Sequence, residues 1–376
     1  MARFVALGDA HLGRTHLAHV RDEQGRNVRE EDFLRSFTWA VDETIRLEPD
    51  GFLWLGDIFD HARPTYRTFA HVLAGLQKLT DAGLRGVAIS GNHDTPRIRG
   101  TGSPYDALER VFPNVSFAWR MEALSVELAG VSIHAVPQTL SVHDFRAQID
   151  VAASATRGDR ANVLLAHVAL TSLPARAWPD INELEIEEAA FAKTFDLVVL
   201  GHYHAHQQAS KRTWYAGSTD TFTFADSPEV PKGVLLIDTD DGTVDLIDDP
   251  HTRPLSTVAV PTAGLSAGEL VDAVERAAVG SPDGGVVRVY LQEVDPVSFR
   301  QGGGQGFHVA VPGALYVQVE PDYGPEALAL QGGPTVGALE QEWTDYVEVQ
   351  ELARLDRPRI VDLGIRYLED ARGEAV

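Results

Sequence analysis

Five short apolar runs in this chain each lead into residue types that bind divalent cations. Asp9 and His11 follow RFVAL, Asp57 and Asp60 follow GFLWL, and Asn92, His93 and Asp94 follow GVAIS; His167 ends NVLLAH, and His202 and His204 follow DLVVL. Apolar runs of this length bounded by turn residues read as buried strands. Between them lie helical spacings. Phe33, Leu34, Phe37, Val41 and Ile45 form one apolar stripe, and Tyr66, Phe69, Val72, Leu73, Leu76 and Leu79 form another. Strand and helix alternating over the first ~250 residues predict an α/β fold. In such a fold functional groups gather at the carboxyl ends of the strands.

The spacing within each cluster fits a metal site. Asp-x-His and His-x-His place two ligands on one side of an extended segment, because side chains alternate with period two. A bridging carboxylate can hold two cations ~3.5–4 Å apart, the separation suited to in-line displacement at phosphorus. Gly56, Gly91 and Gly201 permit tight strand-to-loop turns. Taken singly, each cluster has an ordinary reading. His167 in an apolar strand fits a hydrogen-bonded core histidine, Asp57 a helix cap, and Gly-Asn-His-Asp a turn. All five together, each ending a strand, point to one site.

Further along, SVELAGVSIHAVP alternates about a Gly-centred turn and predicts a hairpin. TWYAGS and GVLLIDTDDGTVDLID predict closing antiparallel strands. The character changes near His251–Pro261, where a Pro-bracketed strand could link two domains. A helix from Ala267 to Ala278 between strands such as GVVRVYLQEV predicts a small α+β unit, with QGGGQG at 301–306 as a loop. Leu339, Trp343, Tyr346 and Val347 suggest one C-terminal helix, and Ile360, Leu363, Ile365, Tyr367 and Leu368 another. The expected domains are 1–254, 255–330 and 331–376.

Composition narrows the chemistry. With no Cys among 376 residues, disulfides, thiolate zinc sites and a Cys nucleophile are excluded. No apolar stretch approaches bilayer length. The N-terminus, MARFVALGD, has no charged leader, apolar core or cleavage site, so a mature cytoplasmic chain is expected. The net charge of -23 runs against tight, unaided binding to a polyanion. Divalent cations at a carboxylate- and imidazole-rich site would attract phosphate instead.

GDAHLG, GDIFD, GNHD, LLAHV and GHYH, in this order, resemble the motifs of the calcineurin-like metallophosphoesterase superfamily, between Asp9 and His204. GDAHLG, GDIFDHARPT, GNHDTPRIRG and the layout after residue 255 resemble, more narrowly, the nuclease subunit of the SbcCD complex (the SbcD family) and its archaeal and eukaryotic double-strand-break repair relatives. The resemblance implies an α/β fold: a β-sandwich flanked by helices (αββα), with a second small α+β capping domain.

Carried over by position, it also implies the site. Asp9, His11 and His204 would hold one metal ion, Asn92, His167 and His202 the other, and Asp57 would bridge them. Manganese is the family's usual ion, whereas mixed N/O ligation alone also suits iron or zinc. His93 would act as general acid on the leaving 3′ oxygen or stabilise the transition state. Asp60 is expected to pair with His93, with His61 as the alternative contact to His93 or to substrate phosphate. Arg14, Arg63, Arg97 and Arg99, in loops after the motifs, could meet phosphates or pair with the excess carboxylates.

The implied activity is that of a DNA exo- and endonuclease, with DNA and an SbcC-type coiled-coil ATPase as partners. A homodimer would pair through the helix at Tyr66–Leu79 and the segment at Ser103–Val111; each could equally cover the sheet. The alternative is a small-molecule metallophosphodiesterase acting on cyclic nucleotides or phospholipids. Protein phosphatases are disfavoured, since they typically read GNHE and GDxxDRG.

Overall fold

The computed structural model describes residues 2–17, 19–98, 102–173, 183–191, 193–224, 226, 230–302, 313–324, 336–349 and 356–373. Period-two alternation in its strands sorts side chains into separate apolar layers. In β1 (Arg3–Leu7), Phe4 and Ala6 enter one buried cluster while Val5 and Leu7 enter another. β2 (Gly51–Leu55) repeats the split, with Leu53 and Leu55 on one side and Phe52 and Trp54 on the other. Strands buried on both faces are what uninterrupted apolar runs predict.

The first sheet continues through β3 (Gly86–Ile89) and β4 (Val115–Ala118). β5 (Leu124–Leu128), β6 (Val131–Val136), β7 (Asn162–His167), β10 (Leu197–Gly201), β11 (Gln207–Ser210) and β12 (Thr213–Tyr215) build a second sheet; β8 (Ala169–Leu170) and β9 (Glu185–Ile186) form a small pair beside it. The chain then returns to the first sheet with β13 (Gly233–Asp238) and β14 (Val244–Asp248). The orders are β14-β13-β1-β2-β3-β4 and β11-β12-β10-β7-β6-β5.

Phe4, Ala6, Leu53, Leu55, Val87 and Ile89 meet Ile133, Ala135, Val163, Leu165, Leu197 and Val199 between the two sheets. The outer face of the first sheet is covered by α1 (Val28–Arg46), α2 (Tyr66–Asp81) and α3 (Pro104–Val111), through Phe33, Phe37, Val72, Leu76, Tyr105 and Leu108. The outer face of the second sheet is covered by α4 (Val142–Ser154), through Phe145, Ile149 and Ala152. Each such large side chain contributes roughly 1.5–3 kcal/mol on burial. The layers are therefore helix, sheet, sheet, helix. Helix starts are capped where the sequence supplies an oxygen: Asn27, Thr65 and Ser141 each accept from a backbone N–H three residues on.

The hairpin at SVELAGVSIHAVP forms as β5 and β6. Ala129 and Gly130 both have positive φ, the requirement of the tight turn that matches strand twist. The expectation of an antiparallel strand at TWYAGS holds on one side, where β12 pairs with β11, and is corrected on the other. β12 runs parallel to β10, because β11 takes the sheet edge and β12 returns into the gap between them. α4 and β4 have no counterpart in the sequence reading, although Ser141 followed by Val142, Phe145, Ile149 and Ala152 carries a cap and a helical stripe.

The chain divides into two compact units. The first comprises Met1–Ser256 with Pro282–Val286 and Gly313–Tyr316, and the second comprises the remainder. The second holds all but the first one or two residues of β15 (Leu255–Pro261), β16 (Val286–Gln292) and β17 (Tyr316–Pro321), which form a three-stranded sheet, with α5 (Ala267–Ala278) and the short α6 (Pro296–Gln301). Ser266 and Glu269 box the start of α5 reciprocally. Two further helices, α7 (Val336–Val349) and α8 (Arg357–Gly373), pack closely at Gly364, where a Cβ would lie 2.1 Å from the Trp343 indole nitrogen. That nitrogen donates to the Val361 carbonyl at 3.2 Å. No helix among the described residues is long and apolar enough to cross a membrane.

Candidate metal centre

The strand ends of both sheets converge on one cluster. Gly56, at φ +90°, turns the chain out of β2, and the backbone N–H groups of Asp9 and His11 donate to the carbonyls of Gly56 and Asp57 at 3.1 and 2.9 Å. Asp9, His11, Asp57 and His202 all have positive φ, at 51°, 44°, 51° and 102°. Left-handed backbone at residues other than glycine costs on the order of 1–3 kcal/mol each and persists only where the surroundings over-determine it. The period-two argument for Asp-x-His and His-x-His is thereby corrected. These segments are not extended, and their side chains converge because the backbone twists.

The seven expected ligands are all buried and lie together. His11 Nε2 is 3.2 Å from His204 Nε2 and 3.8 Å from Asp57 Oδ2. His167 Nε2 is 3.2 Å from Asp57 Oδ2, 4.0 Å from Asp9 Oδ1 and 2.9 Å from Asn92 Oδ1. His202 Nδ1 is 3.1 Å from that same amide oxygen, and its backbone N–H donates to both Asp9 oxygens at 3.0 Å. Among the described residues, three overlapping groups could each hold a cation: Asp9, His11 and His204; His11, Asp57 and His93; and Asp9, Asp57 and His167. Asp9, His11 and Asp57 each belong to two of them.

Electrostatics mark the same centre. Burial alone would push the Asp57 carboxyl up, but the imidazoles of His167, His11 and His93 outweigh it and hold the group well below the usual carboxylate range. Burial opposes charging of His167 too, yet Asp57 and then Asp9 push it up to about 9. Burial raises Asp9 against the pull of His167, and Asp57 adds to the rise. A proton on His167 partly meets this concentrated negative charge, and a divalent cation would meet it more fully. The donor set, carboxylate and amide oxygens with imidazole nitrogens, fits manganese, iron or zinc.

His93 stands at the edge, 10% exposed, with its ring 4.7 Å from that of His11. Its Nδ1–H donates to the Asp60 main-chain carbonyl at 3.0 Å, while the Asp60 carboxylate is 3.8 Å from the same nitrogen. The carboxylate sits nearer His11 Nδ1, at 3.2 Å. The peptide oxygen of Asp60 thus orients His93, and the carboxylate orients His11, where an Asp60–His93 carboxylate pair was expected. His61 is exposed, with Nε2 3.3 Å from Asp60 Oδ2. Arg14 reaches the cluster: it donates to Asp60 Oδ1 at 3.4 Å and lies over the Phe222 ring at 3.8 Å. Arg63 and Arg97 are exposed on their loops. Arg99 lies outside the described residues.

Other contributors lie outside the expected ligand set. Phe222 packs on His11 and His204, with ring centroids 4.4 and 4.2 Å away. The buried Lys232 ammonium donates to the His204 carbonyl at 2.6 Å. Glu183 Oε1 lies 3.2 Å from His202 Nε2. Asp94, visible in Gly-Asn-His-Asp, ties the loops together: it accepts from the backbone of Gly91 and Ile58 and from the Tyr105 hydroxyl, at 2.7, 3.0 and 2.7 Å. Burial, with Asp57 nearby, pushes its carboxyl up to about 7.

Comparison with known proteins places this centre in context. The family model described as calcineurin-like phosphoesterase matches residues 2–206. Curated relatives include the DNA double-strand break repair protein Mre11 of Haloferax volcanii, 29% identical over 268 residues, covering 70% of this chain and 56% of that protein. The protein of that name from Methanococcus maripaludis is 25% identical over 245 residues, covering 61% and 60% respectively. The one from Methanopyrus kandleri is 26% identical over 273 residues, covering 67% and 59%. The chain thus spans 56–60% of the length of these relatives. Among solved structures, TT1561 of Thermus thermophilus overlaps with a TM-score of 0.42 at 12% identity, over 66% of this chain and 98% of that one. The family match, more than half of this chain and enclosing the whole cluster from Asp9 to His204, makes the protein a member of the calcineurin-like phosphoesterase family.

Proposed function

We propose that this protein is a two-metal phosphodiesterase acting on DNA, an exo- and endonuclease of double-strand-break repair that works with an SbcC-type coiled-coil ATPase. The observation that carries the reading is the convergence of Asp9, His11, Asp57, Asn92, His167, His202 and His204 from the strand ends of two sheets. Asp9, His11 and His204 would hold one divalent ion, Asn92, His167 and His202 the second, with Asp57 shared. When bound, such ions supply charge stabilisation to a phosphodiester and lower the pKa of water. Manganese is the ion we favour.

The chain's own residues supply the rest. His93, its Nδ1–H committed to the Asp60 carbonyl, would deliver a proton to the leaving oxygen through Nε2. Asp60 steadies His11, and Arg14, anchored between Asp60 and Phe222, presents a cation to a phosphate. His61, Arg97 and Arg99 belong to the same phosphate-binding margin in this reading. Residues 1–254 would act as the nuclease domain, 255–330 as a capping domain that shapes the DNA site, and 331–376 as the segment that docks the ATPase. A cytoplasmic homodimer completes the proposal. The names of the curated relatives support DNA repair over other phosphodiesters.

The test is hydrolysis of linear single- and double-stranded DNA beside bis-p-nitrophenyl phosphate and a cyclic nucleotide, with and without added manganese. Metal-dependent cleavage of DNA that His93→Gln abolishes is expected. Turnover of the small diesters alone would replace this reading with a small-molecule phosphodiesterase, which the net charge of -23 favours.

A further inference from the structure

Each neutral imidazole has one N–H, and a metal ligand must present its other nitrogen as a lone pair. In three histidines of the cluster an acceptor stands behind the ring. His167 Nδ1 donates to the Leu55 carbonyl at 2.8 Å, leaving Nε2 facing Asp57 and Asn92. His11 Nδ1 lies against the Asp60 carboxylate at 3.2 Å, with Nε2 facing His204 and Asp57. His202 is turned the other way round. Its Nδ1 faces the Asn92 oxygen at 3.1 Å, and its Nε2 lies 3.2 Å from Glu183 Oε1.

Glu183 is not a solvated carboxylate passing near a histidine. The two side chains are 8% and 3% exposed. Ala169, two residues past His167, donates to the Leu184 carbonyl at 2.9 Å, and the parallel pairing of Ala169 with Glu185 and Leu170 with Ile186 follows. The backbone that follows Glu183 is thus fixed to the segment that carries another expected ligand.

We propose that Glu183 is a positioning residue for the metal ion held by Asn92, His167 and His202: its carboxylate, in ion-pair contact with Nε2 of His202 although not aligned as a hydrogen bond, favours the proton on that nitrogen and so leaves Nδ1 as the nitrogen presented to the ion. The proposal rests on the two-metal reading above. A carboxylate in this place also raises the basicity of the opposite nitrogen. Glu183 therefore sets the affinity of one site, while the site of Asp9, His11 and His204 depends on Asp60 for the same service.

The test is manganese binding to the full chain, by titration calorimetry and by electron paramagnetic resonance, for wild type, Glu183→Gln and Glu183→Ala. Wild type should bind two ions and give the spectrum of a coupled pair. Both variants should lose about 10–100-fold in affinity at one site only, the alanine more than the glutamine, which keeps an acceptor oxygen. At two equivalents of manganese their spectra should show isolated ions. Binding at both sites within about threefold of wild type overturns the proposal. So does an equal loss at both sites, or an unfolding midpoint of the metal-free variants that falls in step with affinity, since either makes Glu183 a structural residue. Wild type that binds fewer than two ions overturns the two-metal reading itself.

Discussion

Replacing Arg29 with methionine should destabilise the protein by about 3–5 kcal/mol, the cost of removing one partner from a buried ion pair. Arg29 is 1% exposed and bridges two buried carboxylates: it donates to Asp32 at 2.7 Å and to Asp220 at 3.1 Å, and also to the Thr221 carbonyl at 2.5 Å. The loss falls unequally. Asp32 keeps Arg35 at 2.8 Å and Arg253 at 2.6 Å. Asp220 keeps the Ser36 hydroxyl at 2.9 Å and the more distant charge of the buried Lys232. Burial already pushes the Asp220 carboxyl up against the opposing pull of Arg29, so without the guanidinium it rises further. A carboxyl with a higher pKa folded than unfolded costs nothing below its unfolded value and progressively more as pH climbs toward its folded value. The deficit of the variant should therefore widen with pH. Urea unfolding followed by tryptophan fluorescence at roughly pH 5 and pH 8 would measure it. Adding Asp220→Asn should recover part of the loss. A deficit below about 1 kcal/mol, or one equal at both pH values, would refute the assignment of Asp220 as the stranded charge.

Gly91→Ala would place a Cβ 2.2 Å from Asp57 Oδ1 and 2.7 Å from its backbone nitrogen, so Asp57 must move; on the proposed reading a loss of about 10²-fold in DNA hydrolysis follows, with weaker manganese binding by calorimetry. On the proposed two-metal reading, which leaves His93 outside the ligand set, His93→Gln should lower kcat by about 10²–10⁴-fold while both ions still bind, as manganese titration calorimetry would show. Manganese at about a hundred times its dissociation constant should stabilise the fold by about 2.7 kcal/mol, read as a rise in Tm that a chelator reverses. An unchanged Tm would mean that the cluster takes no ion.

The layered fold, and the gathering of the strand-end residues in one cluster, were legible because both rest on strong periodic signals. Uninterrupted apolar runs such as GFLWL announce strands covered on both faces, and each expected ligand follows directly on such a run. Backbone twist was not legible: nothing in Asp-Ala-His marks two left-handed residues, which only the facing loop of Gly56 and Asp57 enforces. Partners that reach the centre through tertiary contact were equally hidden. Phe222 lies 18 residues beyond His204 with no motif around it, and Glu183 opens the alternating run Glu-Leu-Glu-Ile-Glu, where nothing in the sequence sets it apart from Glu185 or Glu187. Asp60 illustrates a third limit. Its residue type was informative, but which of its oxygens serves His93 depends on a loop conformation that spacing does not encode.

β1, which leads into Asp9 and His11, is flanked on one side by β2 and on the other by β13, a strand more than two hundred residues later, paired at Arg3↔Asp238 through Ala6↔Leu235. Until β13 arrives, β1 has an open edge and its inner face lacks Leu235 and Ile237. Pairings this distant in sequence form slowly, because the intervening chain must first be closed into a loop. On a growing polypeptide the centre can be completed only after Asp238 has left the ribosome, however early its first ligand was made.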